Sequence, residues 1–180
     1  MATHTQEIER KWLVQDLPGL GDLKHEQILQ GYLAISSDGS EIRIRRKGDK
    51  CFETVKSQGG LTRNELEVEI SQDQFLALWP ATEGRRLEKC RYTLTENGHQ
   101  VELDVYQGLL EGLVVAEIEF ESAEESRRFS PPTWFGSRSP MISITKIAAS
   151  HCMGNVMCAN GMMLSRPWIS SLASPPCLRL

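Results

Sequence analysis

The chain has 180 residues, 40% of them hydrophobic, and a formal net charge of −4. This length fits one domain with its own core, and no apolar run approaches the roughly 20 residues of a membrane span. The acidic balance disfavours nucleic-acid binding, and five cysteines, an odd number, argue against a disulfide scaffold. No secretion signal is visible near the N-terminus, so we expect a cytoplasmic location.

The sequence pattern predicts β-strands over most of the chain. Charged or polar residues alternate with apolar ones at a period of two, which is the strand pattern, in segments at 7–14, 30–36, 41–47, 51–57, 65–70, 86–96, 99–106 and 113–121. Turn residues separate the segments, and Asn97-Gly98 is the clearest signal of a tight hairpin.

Two segments, 71–80 and 122–129, predict helices. Ser71 is a suitable N-cap for the first. Ser122 and Glu125 have the spacing of a capping box for the second. About eight short antiparallel strands with few helices predict a mainly-β fold, which is either a barrel or a sandwich.

The charges on these strands form rows of like sign. Residues i and i+2 of a strand point to the same face, so Arg43 and Arg45 share one face, as do Glu117 and Glu119. Similar rows comprise Glu7 with Glu9, Glu65 with Glu67 and Glu69, Lys89 with Arg91, and Glu102 with Asp104. One explanation is a sheet with a solvated face. Uniform sign in strand after strand favours the other, a barrel with the charges inside.

A charged interior would need compensation, because an unpaired buried ion costs several kcal/mol. Converging carboxylates would form an all-oxygen site for Mg²⁺ or Mn²⁺, and the candidates are Glu7, Glu9, Glu117 and Glu119. Cations on the same face would hold a polyphosphate chain, and the candidates are Arg43, Arg45, Lys56, Lys89 and Arg91. The sequence has no P-loop, nucleophile elbow or HExxH motif.

Several motifs then indicate a family. Residues 7–11 read EIERK and resemble the ExExK signature of the CYTH, or triphosphate tunnel metalloenzyme, family. The segments that follow in the family's order are QGYL, EIRIR, TVKS, LTRNELEVEI, LWPATEGRRLEKCRY, VELDVY, VVAEIEF and PPTWFG. The resemblance covers residues 6–136 and is strongest to short bacterial members similar to inorganic triphosphatases.

The resemblance implies an eight-stranded antiparallel tunnel barrel with a few flanking helices, formed by residues 1–136. It implies hydrolysis of a triphosphate, with inorganic tripolyphosphate as the first choice, and Mg²⁺ or Mn²⁺ as cofactor. The implied metal ligands are Glu7, Glu9, Glu117, Glu119 and, in addition, Asp104. The implied phosphate-binding residues are Lys11, Arg43, Arg45, Lys56, Lys89 and Arg91.

The resemblance also implies supporting and catalytic roles. Glu67 would orient the basic residues, with a solvated carboxylate as the alternative. Tyr32 would reach the phosphate end, with a packed tyrosine as the alternative. A metal-polarised water would attack the terminal phosphorus in line, helped by a lumen carboxylate or lysine, for which Glu9 and Lys11 are the candidates.

Other functions stay open at this point. Thiamine triphosphate hydrolysis and class IV-type adenylate cyclase chemistry belong to the same family. A polyphosphate- or nucleotide-binding module without turnover is an alternative of another class, although a pure anion binder has no need of four interior glutamates. The sequence indicates no oligomeric state.

The composition changes after residue 136. No acidic residue follows Glu125, and where the family continues with EVTxDxRYxNxxLA this chain reads SRSPMISITKIAASHCMGN. Permitted codons for residues 141–153, regrouped one base earlier, encode DDIHYKNRSLALH, which has the family's spacing but His in place of Arg. We interpret 137–180 as an aberrant, out-of-frame tail that is not a domain, and we expect the family's closing helix to be missing.

Overall fold

The computed structural model describes residues 2–17, 19–21, 23–57 and 62–138. Nine strands contain most of them: β1 (Ala2–Val14), β2 (His25–Ile35), β3 (Glu41–Lys47), β4 (Lys50–Lys56), β5 (Thr62–Ile70), β6 (Arg86–Glu96), β7 (His99–Gln107), β8 (Val114–Glu119) and β9 (Phe135–Arg138). Two short helices are present, α1 (Gln72–Leu78) and α2 (Ala123–Arg128), with 3-10 turns at Trp79–Thr82 and Gly108–Leu110. The predicted mainly-β fold is confirmed.

Strand pairing passes through all of β1–β8 and returns to β1. The antiparallel order is β5-β4-β3-β2-β6-β7-β8-β1, and β5 pairs with β1 as well. The join is staggered, because β5 pairs with residues 2–8 of β1 and β8 pairs with residues 9–13. β9 continues beside the second half of β1, where Val14 lies opposite Phe135. Each half of β1 thus has its own principal neighbour.

The predicted turn and cap residues lie where expected. Asn97 and Gly98 both have positive φ, 50° and 80°, as the tight β6–β7 hairpin requires. Ser71 forms a full capping box at α1. Ser122 caps α2, but the carboxylate of Glu125 accepts from the backbone N–H of Glu121 at 2.8 Å. The second capping box is therefore shifted by one residue.

Most apolar residues of the strands point outward, and those beneath the helices form two cores. The larger core joins β1, β6, β7 and β8 with Phe129 and Phe135, and Trp12 and Ile118 are fully buried in it. The smaller core packs Phe75 of α1 on Ile44 of β3. Each helix therefore covers one part of the outer surface of the sheet.

Arg10 attaches α2 to the sheet. Its guanidinium lies 4.7 Å from the Trp12 ring centroid and donates to the backbone carbonyls of Phe129, at 3.3 Å, and of Ser126. Those carbonyls belong to the C-terminal end of the helix, where a cation complements the helix dipole. Arg10, one of the two variable positions of the ExExK signature, thus has a structural role on the outer face.

The strands extend further than the alternation pattern predicted. β1 begins at Ala2 and β2 at His25, because ladder pairing with β5 and β6 continues beyond the regular alternation. The predicted boundary between 136 and 137 falls inside β9, and the rest of the predicted tail lies outside the described residues. Among the residues that the structure describes, no helix has the length and hydropathy that crossing a membrane requires.

We predict that Gly31→Ala destabilises the protein. A Cβ at Gly31 would lie 2.5 Å from Oγ1 of Thr82, and Thr82 cannot retreat, because it is buried and its hydroxyl donates to the Trp79 carbonyl at 2.7 Å. Overpacking of this kind costs about 1–3 kcal/mol, or roughly 2–4 °C of Tm per kcal/mol at this chain size.

Thermal unfolding of Gly31→Ala and Gly19→Ala provides the measurement and its control. A Cβ at Gly19 meets nothing within 4 Å, so that variant should unfold at the parent's temperature. Equal Tm values for the two variants would contradict the close approach at Gly31.

Candidate active site

The rows of like charge predicted from the sequence face the interior and oppose one another in register. Lys11 lies opposite Glu117, Lys56 opposite Glu65, and Arg91 opposite Asp104. Cross-strand neighbours of opposite charge stabilise a sheet. The rows predicted from the sequence therefore meet as one interior ion-pair network, and a fully solvated outer face is not their environment.

Two lysines link carboxylates of different strands. The Lys11 ammonium lies 2.8 Å from Glu117 and 3.1 Å from Glu9. The Lys56 ammonium donates to Glu7 at 3.0 Å and also pairs with Glu65. Each lysine therefore joins β1 to another part of the barrel wall.

Arg91 is surrounded by carboxylates. Its guanidinium donates to both oxygens of Asp104, at 2.6 and 2.7 Å, to Glu117 at 3.1 Å, and to Glu102. Asp104 is fully buried and also pairs with Lys89. Arg91 thus neutralises a carboxylate cluster that would otherwise repel itself, since Glu102 and Glu117 lie opposite each other on neighbouring strands.

Arg43 and Arg45 are less completely engaged. Arg43 donates to Glu41 at 3.3 Å, and Arg45 donates to Glu67 at 2.5 Å. The Nε–H of each arginine is buried and has no hydrogen-bond partner among the described residues. Buried donors without a partner are costly in a native protein and indicate a place for a ligand or water.

The other predicted site residues lie in or beside this network. Glu67 also accepts from the Thr54 hydroxyl at 3.1 Å. Tyr32 is buried, and its hydroxyl accepts from the Gln30 amide at 2.7 Å. Glu119 is exposed and lies opposite Glu9. The structure thus places each residue, while the roles implied for them stay predictions.

Several interior residues were not assigned a role from the sequence. Glu41, Glu65 and Glu102 compensate Arg43, Lys56 and Arg91 respectively. The i, i+2 rule already placed Glu65 and Glu102 on the charged face as members of the named rows, whereas Glu41, two residues before Arg43, was not included in a row. The rule does not give the pairing register between neighbouring strands, and this register selects the ion-pair partner of each residue.

The electrostatics differ from one part of the interior to another. Burial acts against ionisation of Glu117, but Lys11, Arg91 and Lys89 outweigh it and hold the pKa of this carboxyl well below its usual range. Burial lowers the pKa of Lys89 to about 8, with a contribution from neighbouring Arg91. Cations therefore dominate around Glu117.

Negative charge is in excess around Glu7 and Glu119. Burial raises the pKa of Glu7 to about 7, although Lys56 opposes the shift. Burial also raises the pKa of Glu119, and repulsion from Glu102 and Glu9 adds to it. Within the described part of the chain, no group of three or more His, Cys, Asp or Glu side chains is arranged to hold a metal ion.

Comparison with known proteins identifies relatives. The chain is 48% identical over 131 residues to an inorganic triphosphatase of Nitrosomonas europaea, covering 72% of this chain and 86% of the relative. It is 35% identical over 133 residues to an inorganic triphosphatase of Acetivibrio thermocellus, covering 73% and 83%. The crystal structure of the inorganic triphosphatase NE1496 superposes with a TM-score of 0.60 at 41% identity, covering 81% and 94%. No family model matches the sequence.

Both curated relatives are named inorganic triphosphatase. The similarity extends over most of each relative, and the fold has the charged interior that the motifs predicted. The chain belongs to the CYTH, or triphosphate tunnel metalloenzyme, family.

We predict that Glu7→Gln changes the pH dependence of stability in metal-free protein. The pKa of Glu7 is about 7 in the folded state against 4.5 ordinarily, so the folded state binds more protons between these values. The parent's free energy of unfolding should therefore fall as pH rises through this window. Glu7→Gln removes that loss, and its stability relative to the parent should increase from pH 4.5 to 7.

Urea unfolding in EDTA across this pH range measures the difference. Glu88→Gln, which removes an exposed carboxylate next to inward-facing Lys89, should differ from the parent by a constant amount. The assigned environment of Glu7 is wrong if Glu7→Gln also gives a constant difference.

Proposed function

We propose that this chain hydrolyses the terminal phosphoanhydride bond of a short triphosphate, most simply inorganic tripolyphosphate, within its charged interior and with a divalent metal. The observation that carries the proposal is the pair of buried, unpartnered Nε–H groups of Arg43 and Arg45, which face the same interior as the carboxylates of β1 and β8. The names of the curated relatives support the same reaction.

The arginines of β3 supply the phosphate contacts. Arg43 and Arg45 are spaced by two residues, so their guanidinium groups lie along one line of the wall. Guanidinium forms charge-assisted, often bidentate hydrogen bonds with phosphate oxygens. Lys56 and Lys89 flank this line, and both are buried. A polyanion bound there would satisfy the free donors and balance the cations.

We place the divalent cation at the carboxylates of β1 and β8. Glu9 and Glu119 lie directly opposite each other, and like charges in that position destabilise a sheet unless a cation intervenes. Burial is the main cause of the raised pKa values of Glu7 and Glu119, and neighbouring carboxylates, Glu65 for Glu7 and Glu102 and Glu9 for Glu119, add to it. Mg²⁺ and Mn²⁺ prefer oxygen ligands, and Glu7 and Glu117, which pair with Lys56 and with Lys11 and Arg91 in this structure, would complete the set by turning to the ion. When bound, the ion would neutralise phosphate charge and activate a water.

The two catalytic candidates have different capacities. Burial opposes the charge of Lys11, but Glu117 and Glu9 outweigh it and raise its pKa, so Lys11 keeps its proton and serves as a fixed cation. Glu9 is a carboxylate within 3.1 Å of that ammonium. Of the two, Glu9 is therefore the group able to accept a proton from the attacking water.

We predict metal-dependent release of phosphate from tripolyphosphate. Activity should be present with Mg²⁺ or Mn²⁺ and absent in excess EDTA. Glu9→Gln and Glu119→Gln should each lower kcat by a factor of about 100 or more, because loss of one ligand or positioned group at a reacting centre costs about 3–4 kcal/mol. The measurement is colorimetric phosphate release, with thiamine triphosphate and ATP as parallel substrates.

Glu88→Gln is the matched control, since it makes the same chemical change on the outer face. It should retain the parent's rate, and circular dichroism should show all three variants folded. Undiminished turnover in EDTA would show that hydrolysis does not need a divalent metal. Parental rates for both site variants would show that Glu9 and Glu119 are not part of the site.

We predict a second contrast within β3. Arg45→Gln should weaken tripolyphosphate binding by about 10- to 100-fold, because a hydrogen bond to a charged group contributes about 1.5–3 kcal/mol, and its effect should shrink at high salt. Arg46→Gln removes the adjacent arginine, which has the opposite parity on the strand, and should bind as the parent does. Isothermal titration calorimetry in EDTA separates this contact from the metal. Equal affinities of the two variants would refute the interior phosphate site.

A further inference from the structure

Arg43 and Arg45 have uncharged neighbours on the strands to either side of β3. The residues that oppose them in register on β2 and β4 are Gln30, Tyr32, Phe52 and Thr54. Arg91 of β6 lies instead between Glu26 and Asp104, and its guanidinium binds both oxygens of Asp104. Because a carboxylate directly opposite an arginine pairs with it, uncharged neighbours leave more of the charge of Arg43 and Arg45 available to a bound polyanion.

Gln30 and Tyr32 form a hydrogen bond within this uncharged surrounding. Both are buried, and their spacing of two residues places them on the same inward face of β2. The side-chain amide of Gln30 donates to the Tyr32 hydroxyl oxygen at 2.7 Å. A hydroxyl has one proton to donate, and a tyrosine that accepts from Gln30 must direct that proton away from Gln30. The amide therefore sets the direction of the Tyr32 O–H bond.

The Tyr32 hydroxyl lies beside Arg43. The two residues are directly opposite each other on β2 and β3. Burial opposes the charge of Arg43, but Tyr32, Glu41 and Glu65 outweigh it and raise its pKa. The Nε–H of Arg43 is buried and has no hydrogen-bond partner among the described residues. An acceptor that satisfies this donor would therefore come close to the Tyr32 hydroxyl as well.

The remaining neighbours of Tyr32 are apolar in character. Its ring packs in the cluster that contains Leu87, Tyr106 and Leu110. Apolar packing holds the ring in place but offers nothing that would orient the hydroxyl proton. Accepting a hydrogen bond also polarises a hydroxyl and makes it a better donor. Gln30 is thus suited both to orient Tyr32 and to strengthen it as a donor.

We propose that Gln30 is a positioning residue for the triphosphate, and that its amide directs the Tyr32 hydroxyl proton toward the phosphate oxygen that accepts from Arg43. The proposal rests on the function proposed above. Gln30 acts through Tyr32, which adds a neutral hydrogen bond beside the charged ones of the arginines. Without the amide, the hydroxyl can rotate and offer its oxygen, instead of its proton, to the phosphate.

A double-mutant cycle tests whether Gln30 acts through Tyr32. Gln30→Met keeps the length of the side chain but removes the donor, and it should weaken tripolyphosphate binding by about 5- to 10-fold. Tyr32→Phe should weaken binding by about tenfold or more, because a hydrogen bond to a charged group is lost. The double variant should bind as Tyr32→Phe does, since the second change removes the group on which the first one acts. Isothermal titration calorimetry on the full chain in EDTA gives the four affinities.

Salt separates loss of the neutral donor from displacement of the arginines. The binding loss in Gln30→Met should be the same at low and high salt, whereas the loss in Arg45→Gln should shrink at high salt. Gln27→Met is the matched control, because Gln27 lies exposed on the same strand with the opposite parity and donates to Gln107 at 2.8 Å. This variant loses a glutamine hydrogen bond outside the interior and should bind as the parent does.

Several results would overturn the proposal. They are parental affinity of Gln30→Met or of Tyr32→Phe, effects that multiply in the double variant, and a loss in Gln30→Met that shrinks with salt. If tripolyphosphate does not bind the parent, the proposed function fails and this inference fails with it. Circular dichroism checks folding. If Gln30→Met does not fold, Gln30→Asn replaces it with the same expectations, because its shorter amide no longer reaches the hydroxyl.

Discussion

Charge compensation inside the barrel is the constraint on which the rest of the structure depends. Most strands turn charged residues inward, so most of the interior carboxylates pair with a cation, several of them on a neighbouring strand. A slip of one residue would turn the whole row outward and the apolar row inward. The pairing of Lys11 with Glu117 and of Arg91 with Asp104 therefore specifies register as well as local electrostatics.

The same constraint places the hydrophobic cores outside the barrel. With the inward positions given to ions, the alternate positions carry residues such as Trp12, Ile44 and Ile118, which α1, α2 and β9 cover. The interior is then free to act as a preorganised polar environment, in which fixed dipoles and charges need little rearrangement when a ligand binds. Compensation is incomplete at two places, Glu119 beside Glu9 and the Nε–H groups of Arg43 and Arg45, and these are the places where we propose that metal and phosphate bind.

Part of the site could be predicted from the sequence because side-chain direction in a strand is a local property. The spacing of Glu117 and Glu119, or of Arg43 and Arg45, is enough to place each pair on one face. The partners could not be predicted in this way. Arg91 and Arg45 look equivalent as arginines in like-charged rows, yet Arg91 is occupied by Glu102, Asp104 and Glu117, whereas Arg45 retains a buried donor. That difference arises from the order of strands in space.

The sequence by itself determined the local elements: the period-two strands, the Asn97-Gly98 hairpin, the Ser71 cap and the charged face of each strand. These depend on backbone preferences and on contacts a few residues apart. Only the tertiary structure decided the staggered join at β1, the carboxylates gathered around Arg91, and the apolar cluster that contains Tyr32, Leu87 and Leu110. Those features depend on contacts between distant segments, and no local pattern carries the register that brings such segments together.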